Sequence, residues 1–273
     1  RTTGVVDATD ADTLMGLLSD VQAVLLADSI GSGTNRIDIV AASIDVVVTN
    51  MGSLRADSLN DLDAYFVGGT IEVLASTVAG SMLELLEASD DYAEDSSGDG
   101  PGAMVLKSNV VMALEGDSVR AVDLSTLSGR TTGVVDATAA NTIEGSVAQM
   151  VALAGDSVGA GNSNGVARQG NVTVDLVTAP SVAADSVLDV NALYQGLVRV
   201  DDAQTVVGSM QELLDVSGDT VASGVDLRDD VVFEFDDTQV GGSAVQAHEL
   251  LMLNDRTTGV VDATDADTLM GLL

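Results

Sequence analysis

The segment RTTGVVDATDADTLMGLL occurs twice without a change, at 1–18 and 256–273, and a diverged copy, RTTGVVDATAANTIEG, occupies 130–145. Identical sequence 255 residues apart asks for the same local structure twice, which one irregular globular core does not supply. Self-similarity of this kind belongs to folds in which one unit stacks on the next. We therefore expect one period of a tandem array plus the start of the next, from a longer structural protein. An opening on Arg1 agrees with that expectation.

A finer repeat lies beneath the long one. Its marker is an aliphatic residue followed two positions later by Gly or Ala: Leu14/Gly16, Leu54/Ala56, Val78/Gly80, Val119/Ala121, Ile143/Gly145, Val182/Ala184, Val206/Gly208, Val240/Gly242 and Leu269/Gly271. The small residues follow one another at 40, 24, 41, 24, 39, 24, 34 and 29 positions. Each long-plus-short pair spans 63 to 65 residues, so the 255-residue period reads as four modules of two coils each. The modules fall at 1–65, 66–129, 130–193 and 194–255, and 256–273 begins the next period.

Upstream of each marker lies a β-branched run, such as Val46-Val47-Val48, Ile71–Val73 or Val198–Val200, and such runs favour buried strands. Between run and marker stands a residue able to cap a helix: Asp10, Asn50, Ser76, Asp117, Thr138, Thr178, Asp202 or Asp237. Pro180 suits a first helical turn. Helical apolar spacing follows, as in Met82, Leu85 and Leu86. The patterning predicts strand, turn, helix and turn, eight times over. The marker Gly or Ala is read as lying inside the helix, where a Gly costs about 1 kcal/mol relative to Ala and so implies close approach to the next layer.

The long coils add polar loops at 31–35, 95–102, 159–165 and 217–224, each followed by an extra strand: Ile37–Val40, Met104–Leu106, Val166–Arg168 and Val225–Arg228. The loops recur at equivalent module positions and should project in one row. Parallel strands need a crossover, usually helical. The expected fold is therefore α/β: a repeat solenoid of about eight strand–helix coils with a parallel sheet and extra strands in alternate coils. A pure β-helix and a globular α/β enzyme are the weighed alternatives.

Composition narrows function. Apolar residues make up 46% of the chain but aromatics only 2%, which suits thin layers at fixed spacing. The net charge of −33, with Lys107 the sole lysine, repels nucleic acid and anionic lipid. With no Cys, thiolate chemistry and disulfides are absent. No apolar run reaches the roughly 18 residues of a membrane span.

The units GVVDATDADTLMGLLSDVQAVL and GVVDATAANTIEGSVAQMVAL, with the nested repeats and the acidic, Cys-free, low-Lys composition, carry a resemblance across essentially the whole chain. The chain resembles the giant tandem-repeat surface proteins of marine bacteria, like the motility-associated one of swimming marine cyanobacteria. That resemblance implies an extracellular, calcium-dependent cell-surface protein.

Candidate chemistry is sparse. His248 is the single histidine; without a second His or a Cys it reads as structural. Asp95, Ser97 and Asp99, followed by Gly100, resemble the start of a calcium loop, although Leu106 stands where a bidentate Glu would close it. Those three are the candidate metal ligands, with calcium the one cofactor considered and a solvated loop the competing reading. A lyase on a solenoid would need a basic residue beside a carboxylate cluster, so no enzyme is expected. The leading expectation is an extracellular fibre, filament or surface-layer element, with the chain's partner being itself. An adhesin stalk or ligand-binding solenoid using the loops is the alternative, weakened by the shortage of rings for stacking on sugars.

Overall fold

The computed structural model describes residues 6–7, 11–29, 37–38, 44–65, 69–90, 103–158, 165–218, 224–236 and 244–271. Their order is a run of alternating short and long coils. The first is β1 (Val6–Asp7), β2 (Thr13–Gly16) and α1 (Leu18–Ser29); the second is β3 (Ile37–Asp38), β4 (Asp45–Val48), β5 (Ser53–Arg55) and α2 (Ala56–Tyr65). The third is β6 (Thr70–Val73), β7 (Thr77–Gly80) and α3 (Met82–Asp90). The fourth is β8 (Ala103–Leu106), β9 (Val111–Leu114), β10 (Ser118–Arg120) and α4 (Ala121–Gly129).

The second half repeats the scheme. Its short coils are β11 (Val134–Ala137), β12 (Thr142–Gly145), α5 (Val147–Gly155) and β16 (Val198–Val200), β17 (Thr205–Gly208), α7 (Met210–Gly218). Its long coils are β13 (Gly165–Arg168), β14 (Thr173–Leu176), β15 (Ser181–Ala183), α6 (Ala184–Leu193) and β18 (Val225–Leu227), β19 (Val232–Phe235), β20 (Ala244–Gln246), α8 (Ala247–Asn254). The last described strands are β21 (Val261–Asp262) and β22 (Thr268–Met270).

The chain divides into two compact units, one of 1–116, 123–139 and 161–167, the other of 117–122, 140–160 and 168–273. The first holds the sheets β1-β3, β2-β4-β6-β8 and β5-β7-β9-β11-β13; the second holds β10-β12-β14-β16-β18, β15-β17-β19-β21 and β20-β22. The pairings whose register is defined are all parallel. The fold is thus α/β, built of alternating strand–helix units with all-parallel sheets, in keeping with a repeat solenoid.

One pairing rule holds in both units. The first strand of a long coil pairs back to the preceding short coil, and the third pairs forward to the following one. The middle strand pairs both ways, so β9 joins β7 to β11 and β14 joins β12 to β16. Sheets are therefore staggered, each giving way to another as a new third strand opens it.

Strand alternation puts every second side chain inside. Val46, Ile71 and Met104 stand in register across one sheet, as do Val119, Ile143, Val174, Val198 and Val225 across another, and all are buried. Helices close the core with Leu59 and Leu62 in α2, Leu85 in α3, Met150 and Leu153 in α5, and Leu213 and Val216 in α7. Each such side chain contributes about 1.5–3 kcal/mol by leaving water. Inward residues mostly stack on aliphatics of similar size, with Phe233, buried opposite Val206 and Val261, an aromatic exception.

Several sequence expectations are corrected in detail. The marker segment is a strand, not part of the helix: Gly16, Gly80, Gly145 and Gly208 end β2, β7, β12 and β17, and Ala56, Ala121 and Ala184 begin α2, α4 and α6. Short coils therefore carry two strands and long coils three. Close approach is nonetheless what the glycines permit. A Cβ on Gly80 would lie 2.9 Å from the Ala56 methyl, on Gly145 3.0 Å from Ala121, and on Gly208 2.9 Å from Ala184. The expected fourth-module marker Val240/Gly242 lies outside the described residues. Its place is taken by Val245 and Ala247, Val245 pairing with Leu269. With that change the short spacing is 24 residues in every module.

The expected caps also move. Asn50, Ser76, Asp117, Thr138, Thr178 and Asp202 precede marker strands rather than helices, and Asp10 and Asp237 lie outside the described residues. Pro180 likewise precedes β15, where its carbonyl accepts from the Gln204 and Thr205 N–H groups. The true caps follow the marker Gly. Ser146 and Gln149 form a reciprocal capping box on α5, and Ser81/Glu84 and Ser209/Glu212 make the same pair of bonds on α3 and α7. In α1 a Leu, Leu17, stands where these serines would be. Here Asn50, from the neighbouring coil, accepts the Leu18 N–H at 2.8 Å.

Candidate functional site

The most elaborate polar arrangement is the corner that opens alternate short coils, made by the RTTG motif. At 130–133 the Arg130 guanidinium donates to the Leu86 carbonyl at 2.7 Å, midway along α3, and to the Ser89 hydroxyl at 3.1 Å in its last turn. A cation there lies toward the negative end of the helix dipole. Thr131 donates to the Val110 carbonyl and Thr132 to that of Ser108, while the Gly133 N–H donates to the Thr131 hydroxyl. A Cβ on Gly133 would collide with the Val110 carbonyl, so a side chain cannot stand there.

The same set recurs at 256–259. Arg256 donates to the Leu214 carbonyl at 2.7 Å, midway along α7, and to the Ser217 hydroxyl at 2.9 Å in its last turn. Thr257 and Thr258 donate to the Val231 and Asp229 carbonyls, and a Cβ on Gly259 would meet the Val231 carbonyl. Two copies with equivalent partners make the motif a staple whose threonines hold the preceding long coil and whose arginine reaches past it to the helix of the short coil before. The remaining short coils keep the glycine alone. Gly69, at φ +81°, abuts the Ile44 carbonyl, and Gly196 abuts that of Val172.

Beside Gly196 the arginine is replaced by an aromatic device. Tyr194 is buried, and its hydroxyl donates to the Met150 carbonyl of α5 at 2.9 Å. Arg168 stacks over its ring at 4.2 Å from the centroid and donates to the Ser157 hydroxyl beyond the end of α5. Burial pushes the Tyr194 hydroxyl above its ordinary pKa, so it stays a donor at neutral pH, with Arg168 pulling weakly the other way. Beside Gly69 a carboxylate does the work: Asp45 accepts from both the Thr70 N–H and its hydroxyl at 2.9 Å, which lowers its pKa.

The outer faces carry charge. On one sheet Glu144, Asp175, Arg199 and Asp226 stand opposite one another in successive strands. Burial raises the Asp175 pKa, Glu144 and Asp201 add to it, and Arg199, 3.6 Å away, opposes it. Arg55 bridges Asp57 at 3.4 Å and Glu115 at 3.1 Å. This is charge relief within an acidic surface. A groove between α1 and α2 is lined by Gln22, Leu25, Leu26, Asp61 and Leu62, a single carboxylate among neutral groups.

The sequence candidates fare unevenly. His248 lies exposed in the first turn of α8. Asp95, Ser97 and Asp99 lie outside the described residues, as does most of each polar loop. Among the described residues no group of three His, Cys, Asp or Glu side chains converges to hold a metal ion. No described helix is long and apolar enough to cross a membrane. The Arg and Thr roles in RTTG were missed, although the motif's recurrence at 1, 130 and 256 is the signal that points to them. Set against known protein families, curated proteins and solved structures, the chain matches none.

Proposed function

We propose that the protein is a structural element whose coils stack axially into an extracellular fibre, filament or surface layer. The observation that carries this reading is the RTTG staple, reproduced 126 residues apart with equivalent partners on the preceding short-coil helix. The Arg and Thr side chains of that motif are committed to holding one coil against earlier ones. What remains outside is an acidic face that stays solvated in salt water. Self-association is the partner this reading names, and the work of such a protein is length and stiffness, without catalysis.

Electron microscopy of the purified chain across a range of ionic strength tests it. Filaments or sheets that lengthen as salt screens the net charge of −33 are expected. Isolated particles at every salt concentration would overturn it.

A further inference from the structure

The outer face of the sheet β10-β12-β14-β16-β18 carries one charged side chain per strand, all in register: Arg120, Glu144, Asp175, Arg199 and Asp226. All five lie in one compact unit, and none is buried. Their signs run plus, minus, minus, plus, minus. Reversed, the row is its own complement everywhere but in the middle. Arg120 would meet Asp226, Glu144 would meet Arg199, and Asp175 alone would meet itself. The companion row on that face, Ser118, Thr142 and Thr173, is short and uncharged and leaves room for close approach.

The central residue suits that place. The Asp175 Oδ1 atom is shielded from solvent and makes no hydrogen bond within its own chain, with Arg199 Nη1 3.6 Å away. Burial favours the protonated form of Asp175, Glu144 and Asp201 add to it, and Arg199 opposes it. Asp202 lines the same hollow. Two carboxyl groups brought to one site share a proton, so a protonated Asp175 can donate to the carboxylate of its mate.

We propose that this face docks on the same face of a second copy of the chain, about a two-fold axis that runs along the strands through Asp175. Such an axis reverses the order of the strands and keeps their direction, which brings Arg120 over Asp226 and Glu144 over Arg199. A two-fold axis across the strands would set each charge on its own copy, so the charges select one geometry. The contact is isologous, and each attractive pair occurs twice around the two aspartates. Four strand spacings of about 4.8 Å make the row about 19 Å long. That is short of a standard interface, so the dimer is reversible, and repetition along a stack would add such contacts together. The inference goes beyond axial stacking and does not depend on it. Protonation joins the central pair, so the dimer strengthens as pH falls through the raised Asp175 pKa and weakens above it.

Sedimentation velocity of the full chain, read as the dimer dissociation constant at fixed ionic strength and several pH values, tests this. Arg199→Glu sets like charges together on both sides of the axis and should raise the dissociation constant at least about tenfold. Glu144→Arg/Arg199→Glu restores both pairs and should recover the parent value, which separates loss of charge pairing from misfolding. Asp175→Asn should dimerise at neutral pH as the parent does in acid. Association that Arg199→Glu leaves unchanged would overturn the proposal, as would a swap variant no better than the single one. A chain that never dimerises in this way at any pH yet forms filaments would overturn it and leave the stacking reading intact.

Discussion

The Tyr194 hydroxyl donates a 2.9 Å hydrogen bond to the Met150 carbonyl, the service that Arg130 performs for Leu86 and Arg256 for Leu214. Two unlike side chains thus add a second donor to a carbonyl of the preceding short-coil helix, one buried and neutral, the other charged and nearer solvent. Tyr194→Phe removes that cross-coil bond and should cost about 1 kcal/mol. Urea unfolding measures it; a midpoint unchanged from the parent chain would contradict the assignment.

Arg130→Ala should cost about 1–3 kcal/mol, since it removes two bonds to Leu86 and the buried Ser89. Substituting Arg120, on the outer face of its strand, should change stability by less than about 0.5 kcal/mol. Equal effects at the two positions would mean that the staple carries no more than any surface arginine.

The strand-end glycines give a graded series. Gly80→Ala and Gly208→Ala push a methyl to within 2.9 Å of Ala56 and Ala184, and overpacking of this kind costs about 1–3 kcal/mol. Gly16→Ala meets only Val21 and Asp20, at 3.7 and 3.8 Å, and should be tolerated within about 0.5 kcal/mol. Thermal melts of the three variants order them; a Gly16 variant as damaged as the others would refute close approach as the reason for glycine.

Two aspartates give opposite pH responses. Asp45 has a lowered pKa in the fold through its Thr70 bonds, so its contribution is present above the unfolded value and fades as pH falls through the folded one. Asp175 has a raised pKa, so its ionisation weakens the fold and its protonation relieves it. Asp45→Asn should flatten the loss of stability on acidification, and Asp175→Asn should flatten a gain. Stability against pH for both variants and the parent checks the signs, and a shared sign would contradict the geometry.

Much of the fold is legible in the sequence because its physics is local and repeated. The β-branched runs at Ile71–Val73 and Val198–Val200 became β6 and β16, and the extra strand at Val166–Arg168 became β13. The three- and four-residue marker strands were misread because Thr77–Gly80 or Thr205–Gly208 is too short to display a period of two before helical spacing begins. The capping boxes were nevertheless spelled out as Ser-x-x-Glu or Gln at 81–84, 146–149 and 209–212. Val240/Gly242 and Val245/Ala247 both fit the marker, so the pattern alone did not separate them. Tyr194 could not be foreseen: its partner Met150 is 44 residues away, and only the folded stack brings them together.

The most direct measurement is X-ray diffraction from aligned assemblies of the chain. Parallel strands stacked along an axis give a meridional reflection at about 4.7–4.9 Å, and eight coils per long repeat give an axial period of roughly 38 Å. Both spacings together are what axial stacking of these coils predicts. An aligned assembly lacking the 38 Å period would mean that the coils do not continue from one molecule into the next.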